Sequence, residues 1–527
     1  MLPVSNTQIK SAVFQPATPT APAHCQVDGM INARKGVNDQ KYAINFRLRL
    51  PQSWNERFFM GGGGGTNGTL VDPMARLAQG YATVGTDSGH DNTINNDPSA
   101  GGTATFGTDP QARIDFAYNA YDVVTRTGKA LTQLYFGKQP KFSYFQGCSE
   151  GGREAMLMSQ RFPTYFDGII AGDPVLHIPL GPMAGIHTTQ LFAGLATRQG
   201  QFLANGQPAI SKAYSDTDLM LVRTAILNAC DSLDGLVDGI VDNMPACTKP
   251  LVHTQLVAAQ CSAAKTANCL TADQIGTLEK AYEGVVDSKG KQLYSDWPWD
   301  PGISGQSSAN TYNPSWRSWW LGSANAPTNS SIKLSYVSAV SVVYNASPVL
   351  PFTSADTFPF SMAYNFDTDV ARIYNTSTPG ASPAFTQSAA SMLFTDSTDL
   401  TAFRQRGAKL MLYQGGADSS VSINDTLRWY TAMNVKMGGN AQDFARMYVV
   451  PGMNHCSGGP ATDRFDMLPQ LVNWVEGNVA PDQVIATATT PAYFNVDSRS
   501  RPLCPYPKQA RYKGDGDINI ATNFNCQ

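Results

Sequence analysis

Charge is scarce in this 527-residue chain: Asp, Glu, Lys and Arg make up 15%, below the quarter usual for soluble globular proteins. The formal net charge is only −3. No Lys/Arg run or RNA-binding motif stands out, so nucleic acid is not an expected partner. Long apolar runs are missing too. No stretch approaches the roughly 20 residues of a membrane span, so no membrane partner is expected. No Cys-x-x-Cys pair offers a zinc site. The first residues, Met1 to Thr7, lack the basic and apolar segments of a secretory signal.

What is present is nine cysteines. Cys230 and Cys247 are near neighbours, as are Cys261 and Cys269, and Cys504 and Cys526 close the C-terminus. These positions read as disulfides formed in an oxidising compartment. The remaining pair is more telling. Cys148 precedes Ser149 and Cys456 follows His455, so a Cys148–Cys456 bridge places the serine beside the histidine, bridged Cα atoms being only about 4.4–6.8 Å apart. Cys25 is left over. The expectation is an upstream segment, with a signal peptide and a partner for Cys25, and a secreted, periplasmic or outer-membrane-associated protein; a free buried thiol is the alternative.

At this length two units are expected. Up to about residue 174 strand and helix signals alternate. Tyr42 to Leu50 has period-two alternation, Arg57 to Met60 and Tyr81 to Gly85 are short strands, Ala112 to Leu134 carries a helical period, and Phe142 to Gln146 leads into Gly147-Cys-Ser-Glu-Gly151. A helix from Gly151 to Phe162 follows. Between 175 and 393 the alternation disappears and Ser, Thr, Asn, Gly and Trp dominate, which reads as an inserted lid domain. Alternation resumes at Lys409 to Tyr413, at Ala445 to Val450 and in a helix from Phe465 to Glu476. The expected architecture is α/β, an α/β-hydrolase catalytic domain (1–174 and 394–527) split by a lid (175–393).

Gly147-Cys-Ser149-Glu-Gly151 is the Gly-x-Ser-x-Gly pattern of a nucleophile elbow. A serine hydroxyl needs a base, a group that orients the base, and amide donors for the oxyanion. In this fold the order is Ser, acid, His, with the acid and His after late strands. His455 follows the Val449-Val450 strand end, and Asp418 follows the strand that closes at Tyr413-Gln414. Asp173, at an earlier strand end, is the second candidate for the acid. Gly61 to Gly65 form an early glycine loop suited to the oxyanion hole, beside the amide of Glu150; they lack the spacing of a dinucleotide-binding loop.

Asp231, Asp234, Asp238 and Asp242 fall within twelve residues with glycines between. Hard oxygen donors in that pattern suit structural Ca²⁺; a solvated acidic loop is the alternative. Trp297, Trp299, Trp316, Trp319 and Trp320 crowd the insert. One or two are expected to face an aromatic substrate and the rest to be core.

Gly147-Cys-Ser-Glu-Gly-Gly-Arg-Glu154, Trp316-Arg-Ser-Trp-Trp-Leu-Gly-Ser323, Pro451-Gly-Met-Asn-His-Cys-Ser-Gly-Gly459 and Arg501-Pro-Leu-Cys-Pro-Tyr-Pro507 resemble the tannase and feruloyl esterase family over nearly the whole chain. The resemblance implies a serine carboxylic-ester hydrolase acting on aromatic acid esters, with mono(2-hydroxyethyl) terephthalate the expected substrate and plant phenolic esters the alternative. It implies a triad of Ser149, Asp418 and His455, and oxyanion amides at Gly65 and Glu150. It implies a lid Ca²⁺ held by Asp231, Asp234 and Asp238 with the backbone oxygens of Leu236 and Ile240. Trp319 is implied to pack on the substrate ring, with Lys333, Val337 and Ser338 completing the substrate contacts, and Cys25 to pair with an upstream cysteine. Family members acting on the terephthalate monoester grip its carboxylate with a lid arginine; Lys333 stands there, a point charge without the bidentate fork. Ala346, Gly64 and Gln414 replace a phenylalanine, a serine and a histidine. A monomer is expected. A non-catalytic, calcium-stabilised carbohydrate-binding protein and a peptidase are the readings of other classes.

Overall fold

The computed structural model describes residues 2–304, 316–322, 337–346, 357–377 and 379–527. Nine strands make one sheet: β1 (Thr7–Gln15), β2 (His24–Lys35), β3 (Lys41–Pro51), β4 (Arg57–Gly61), β5 (Ala82–Thr86), β6 (Phe142–Cys148), β7 (Gly168–Gly172), β8 (Lys409–Gly415) and β9 (Ala445–Val450). They lie in the order β1-β2-β3-β5-β4-β6-β7-β8-β9. Pairing is antiparallel from β1 to β5 and parallel from β5 to β9. The parallel strands are covered on both faces, so β5 and β7 are buried at every position, as parallel strands require. This is the α/β arrangement expected.

Side chains alternate across that sheet. Phe58, Met60, Phe145, Leu410 and Leu412 face one way, toward α1 (Ala120–Phe136), α2 (Glu150–Gln160) and the helix Ile423–Lys436. Phe59, Tyr144, Ile170, Met411 and Tyr448 face the other way, against Leu471 and Trp474 of the helix Leu468–Gly477. The helical period from Ala112 is interrupted: a short helix, Pro110–Ile114, capped by the Asp109 carboxylate, runs through a π-helical turn, Asp115–Asn119, into α1. The strands β1 and β2 had no counterpart in the sequence reading. β1 is largely exposed, so it carries no buried-face alternation to detect.

The stretch 175–393 is mainly helical where it is described, with one short antiparallel pair of strands, Val285–Val286 and Gln292–Tyr294. Leu180–Arg198, Asp216–Cys230, Lys249–Ala258 and Ala272–Tyr282 are helices. Two of them begin with capping boxes, Ser215 with Asp218 and Thr271 with Gln274, each satisfying two otherwise orphaned amides. Their shared core includes Phe192, Tyr214, Trp297, Trp316 and Trp320, together with Phe106 and Phe116 from before α1. Disulfides link Cys230 to Cys247, Cys261 to Cys269, Cys504 to Cys526 and Cys148 to Cys456. Cys25 is unpaired. Among the described residues no helix is long and apolar enough to cross a membrane.

Candidate active site

Ser149 occupies the single residue between β6 and α2, at φ 65° and ψ −122°. A serine holds that strained conformation only when its surroundings dictate it. Here they do. A Cβ on Gly147 would stand 2.4 Å from the Gly151 carbonyl oxygen, and one on Gly152 would stand 2.2 Å from that of Gly172. Only glycine lets the turn close, and the Ser149 amide then donates to Gly172 at 3.0 Å.

The disulfide holds the Cα atoms of Cys148 and Cys456 6.1 Å apart across 308 residues. His455 Nε2 lies 2.7 Å from Ser149 Oγ, and Nδ1 lies 2.8 Å from Asp418 Oδ2. Asp418 Oδ1 accepts the amides of Ser420 at 2.8 Å and Val421 at 3.0 Å, leaving Oδ2 for the imidazole. This is the hydrogen-bonded geometry that activates a serine. Asp173, the second candidate, makes no hydrogen bond to His455 among the described contacts. Its carboxyl oxygen nevertheless sits within 4.8 Å of the ligand atoms of both Asp418 and His455.

Two insert tryptophans hold the acid turn from outside. Trp297 Nε1 donates to the Asp418 carbonyl at 3.0 Å, and Trp320 Nε1 donates to the Ser419 carbonyl at 2.7 Å. The sequence singles out neither of them from the five tryptophans of this stretch. Their role depends on tertiary contacts more than 90 residues apart, for which no local signal exists. Trp319 differs: its ring lies 5.4 Å from the His455 ring, edge to face.

The glycine loop is braced from below by α2. Glu154 Oε2 accepts the Gly63 amide at 2.8 Å, and Oε1 accepts Asn67 Nδ2 at 2.6 Å and the Tyr121 hydroxyl. Glu154 is fully buried; burial raises its pKa despite these donors. The Gly151 amide in turn donates to the Gly63 carbonyl at 3.0 Å. Glu150 turns its carboxylate away onto Arg153 at 2.8 Å, and burial still pushes it up to about 7. Neither the Gly65 nor the Glu150 amide has a turn or loop acceptor among the described residues. Both residues line the cavity beside Ser149, where donors can meet a developing oxyanion.

That cavity has a volume of about 150 Å³. Its lining includes Val175, Ile178, Pro182, Trp319, Ala339 and Tyr344. Larger hollows of about 810 and 820 Å³ lie elsewhere, and no histidine lines either. Val337 and Ser338 are buried immediately before Ala339 and are absent from the described lining, where Ala339 and Tyr344 stand instead. Lys333 lies outside the described residues. Gly64 has open space at its Cβ position. Gln414 is fully buried and donates to the Val421 carbonyl at 2.9 Å, and Ala346 is buried beside Arg372.

In the acidic loop, Asp231 accepts the Gly239 amide at 3.0 Å, Asp234 that of Leu236 at 2.9 Å and Asp238 that of Ile240 at 3.1 Å. Asp238 also pairs with Arg501. Burial, with the neighbouring carboxylates adding to it, raises Asp234 to about 6. The all-oxygen donor set fits a hard cation. Its carboxylates are not drawn together: among the described residues, three such ligand atoms within 4.8 Å of one another occur around Asp173 and the triad, not in this loop.

Residues 25–527 match the family model described as tannase and feruloyl esterase. The chain is 47% identical to mono(2-hydroxyethyl) terephthalate hydrolase of Piscinibacter sakaiensis, over 99% of this chain and 89% of that protein. It is 30% identical to a probable feruloyl esterase of Arthroderma benhamiae, over 93% of this chain and 83% of that protein. The crystal structure of feruloyl esterase B from Aspergillus oryzae superposes with a TM-score of 0.74 at 23% identity, covering 100% of this chain and 98% of that one. That likeness shows the α/β-hydrolase fold.

Proposed function

Because the chain belongs to the tannase and feruloyl esterase family, and is thus a carboxylic ester hydrolase of aromatic acid esters, we propose that it cleaves mono(2-hydroxyethyl) terephthalate to terephthalate and ethylene glycol. Ser149 is the nucleophile, His455 the general base and then acid, and Asp418 the orienting carboxylate. Ser149 Oγ bonds to the acyl carbon as its proton passes to His455 Nε2. The amides of Gly65 and Glu150 hold the oxyanion. The acyl C–O bond then breaks, and the alcohol leaves with that proton. Water, deprotonated by His455, attacks the acyl-serine; the carboxylic acid departs and Ser149 recovers its proton.

The observation that carries the reading is the hydrogen-bonded Ser149–His455–Asp418 chain opening onto a narrow, largely apolar cavity with Trp319 at its side. A slot of that kind takes a flat aromatic acyl group, and the indole offers an edge or face for it. The substrate is taken from the relative whose name specifies it, and Lys333 supplies the positive charge for the free carboxylate. Plant phenolic esters are the second reading, favoured by the relative named as a probable feruloyl esterase.

The acidic loop would hold Ca²⁺ through Asp231, Asp234 and Asp238 with the backbone oxygens of Leu236 and Ile240. Its place would be structural, away from the reacting atoms. Four disulfides fit a secreted or periplasmic protein.

The test is turnover of the terephthalate monoester beside methyl ferulate and methyl gallate. Terephthalate release at the highest kcat/KM is expected; none would overturn the substrate assignment. Lys333→Ala should raise KM for the anionic monoester more than for a neutral ester.

A further inference from the structure

Two carboxyl groups stand behind His455. Asp173 follows the last residue of β7, with a left-handed φ of 38°, and it is fully buried. Its amide donates to the Tyr413 carbonyl at 2.7 Å, which turns the side chain toward the acid end of β8. Asp173 Oδ1 accepts the Gly415 amide at 3.1 Å. Oδ2 lies 3.5 Å from Cys148 Sγ, a packing contact, because a disulfide sulfur carries no proton. An oxygen of Asp173, an oxygen of Asp418 and a ring nitrogen of His455 all fall within 4.8 Å of one another.

Two ionised carboxylates that close and away from water repel strongly, which favours a proton on one of them. The hydrogen bonds say which. Asp418 is served by three donors, two amides on Oδ1 and the imidazole on Oδ2. Asp173 has the more meagre supply. We propose that Asp173 is a neutral carboxylic acid donating its proton to the Asp418 carboxylate, so that the triad acid is a two-carboxyl unit of net charge −1 with Asp173 as a positioning residue. Burial first, and then the Asp418 charge, hold the Asp173 carboxyl protonated well above the usual carboxylate range, against the Gly415 and Cys456 amides. The titratable groups facing it are Asp418 and His455 from the two late loops and Tyr413 from β8. The bridge between β6 and the His455 turn does not titrate.

The consequence for the reaction is electrostatic. A donated hydrogen bond spreads the charge of Asp418 and fixes Oδ2 on the imidazole. A second negative charge in that place would instead hold the proton on His455 and starve the base.

The inference rests on the triad reading, which is measured separately: Ser149→Ala and Asp418→Ala must each abolish most turnover, whatever Asp173 does. The deciding measurement is the acid limb of kcat/KM against pH in the wild-type enzyme, Asp173→Ala and Asp173→Asn, with an intact Cys148–Cys456 bridge confirmed by mass mapping. Asp173→Ala removes the donor and concentrates the charge on Asp418. Its limb should move to higher pH, by about half a unit, with kcat down about tenfold. Asp173→Asn restores a neutral donor and should return the limb to within about 0.2 units of wild type. A limb that moves to lower pH in either variant means Asp173 was ionised, and overturns the proposal. A limb unmoved in Asp173→Ala makes the residue a bystander and overturns it too. If Asp173→Ala does not fold, Asp173→Val, which also lacks a donor, takes its place with the same expected and overturning outcomes.

Discussion

Cys148 and Cys456 are bonded to each other, and each is the chain neighbour of one member of the Ser149–His455 pair. The bridge therefore joins nucleophile and base through a few covalent bonds on one side and a single 2.7 Å hydrogen bond on the other. The His455 turn needs such a restraint: Cys456, like Ser149, has a positive φ, 64°.

Removing that bridge should cost both stability and rate. Closing a loop of this length is worth about 6 kcal/mol in the chain-entropy view. The double variant Cys148→Ser/Cys456→Ser is expected to melt at lower temperature and, while still folded, to lose at least about tenfold in kcat through misplacement of the imidazole. Calorimetry and initial rates below the melting range check both. An unchanged kcat would reduce the bridge to a structural staple.

Glu154 should act on the oxyanion loop without touching substrate. Glu154→Gln replaces the oxygen that accepts the Gly63 amide with an NH₂ group, or else loses the Asn67 and Tyr121 contacts. Loss of one oxyanion donor costs about 10²–10³ in kcat, and loosening the loop that carries it should cost about tenfold or more, with KM little moved. Steady-state kinetics on a small aryl ester reads this. An equal fall in kcat for Gly64→Ala, where the Cβ meets open space, would point to general loop damage instead.

His177 should give stability a basic limb. It lies 2.7 Å from Asp425 and 3.2 Å from Asp396. Burial opposes its charge, but the two carboxylates outweigh it and raise the pKa to about 9. Since the unfolded value is about 6.5, the stabilisation is complete below about pH 6.5 and disappears as pH rises through about 9. At most about 3 kcal/mol is involved. Urea unfolding at pH 6 and pH 9.5 should show the loss, and His177→Gln should shrink it.

Cation removal should act on stability before rate. With Asp231, Asp234 and Asp238 as ligands, EGTA is expected to lower the melting temperature, and added Ca²⁺ to restore it, with the effect lost in Asp234→Asn. Equal melting curves with and without chelator would leave the loop held by Arg501 and its amides alone.

The elements around the triad were legible because their signals are local. Phe142 to Gln146 is a short strand signal leading straight into the elbow, the glycines on either side of Ser149 are demanded by a turn that only they can close, and the Cys-Ser and His-Cys neighbours carry their own distance constraint. The rest depends on packing between remote segments. The indoles of Trp297 and Trp320 carry no mark in sequence that separates them from Trp299, and Ala339 and Tyr344 cannot be told from Val337 and Ser338 when the register of the insert is unknown. β1 is an exposed edge strand, so its composition is constrained by neither face of the sheet. Asp173 sat at the correct kind of strand end and was weighed as a rival to Asp418; only distances reveal the two as neighbours.

The indole bonds from Trp297 and Trp320 to the Asp418–Ser419 backbone make the insert part of the catalytic frame. Grafting a relative's insert to change substrate preference would then also exchange the supports of the orienting carboxylate. A chimera that keeps the recipient's indoles in place could redirect selectivity, while one that discards them would lose turnover on every ester alike.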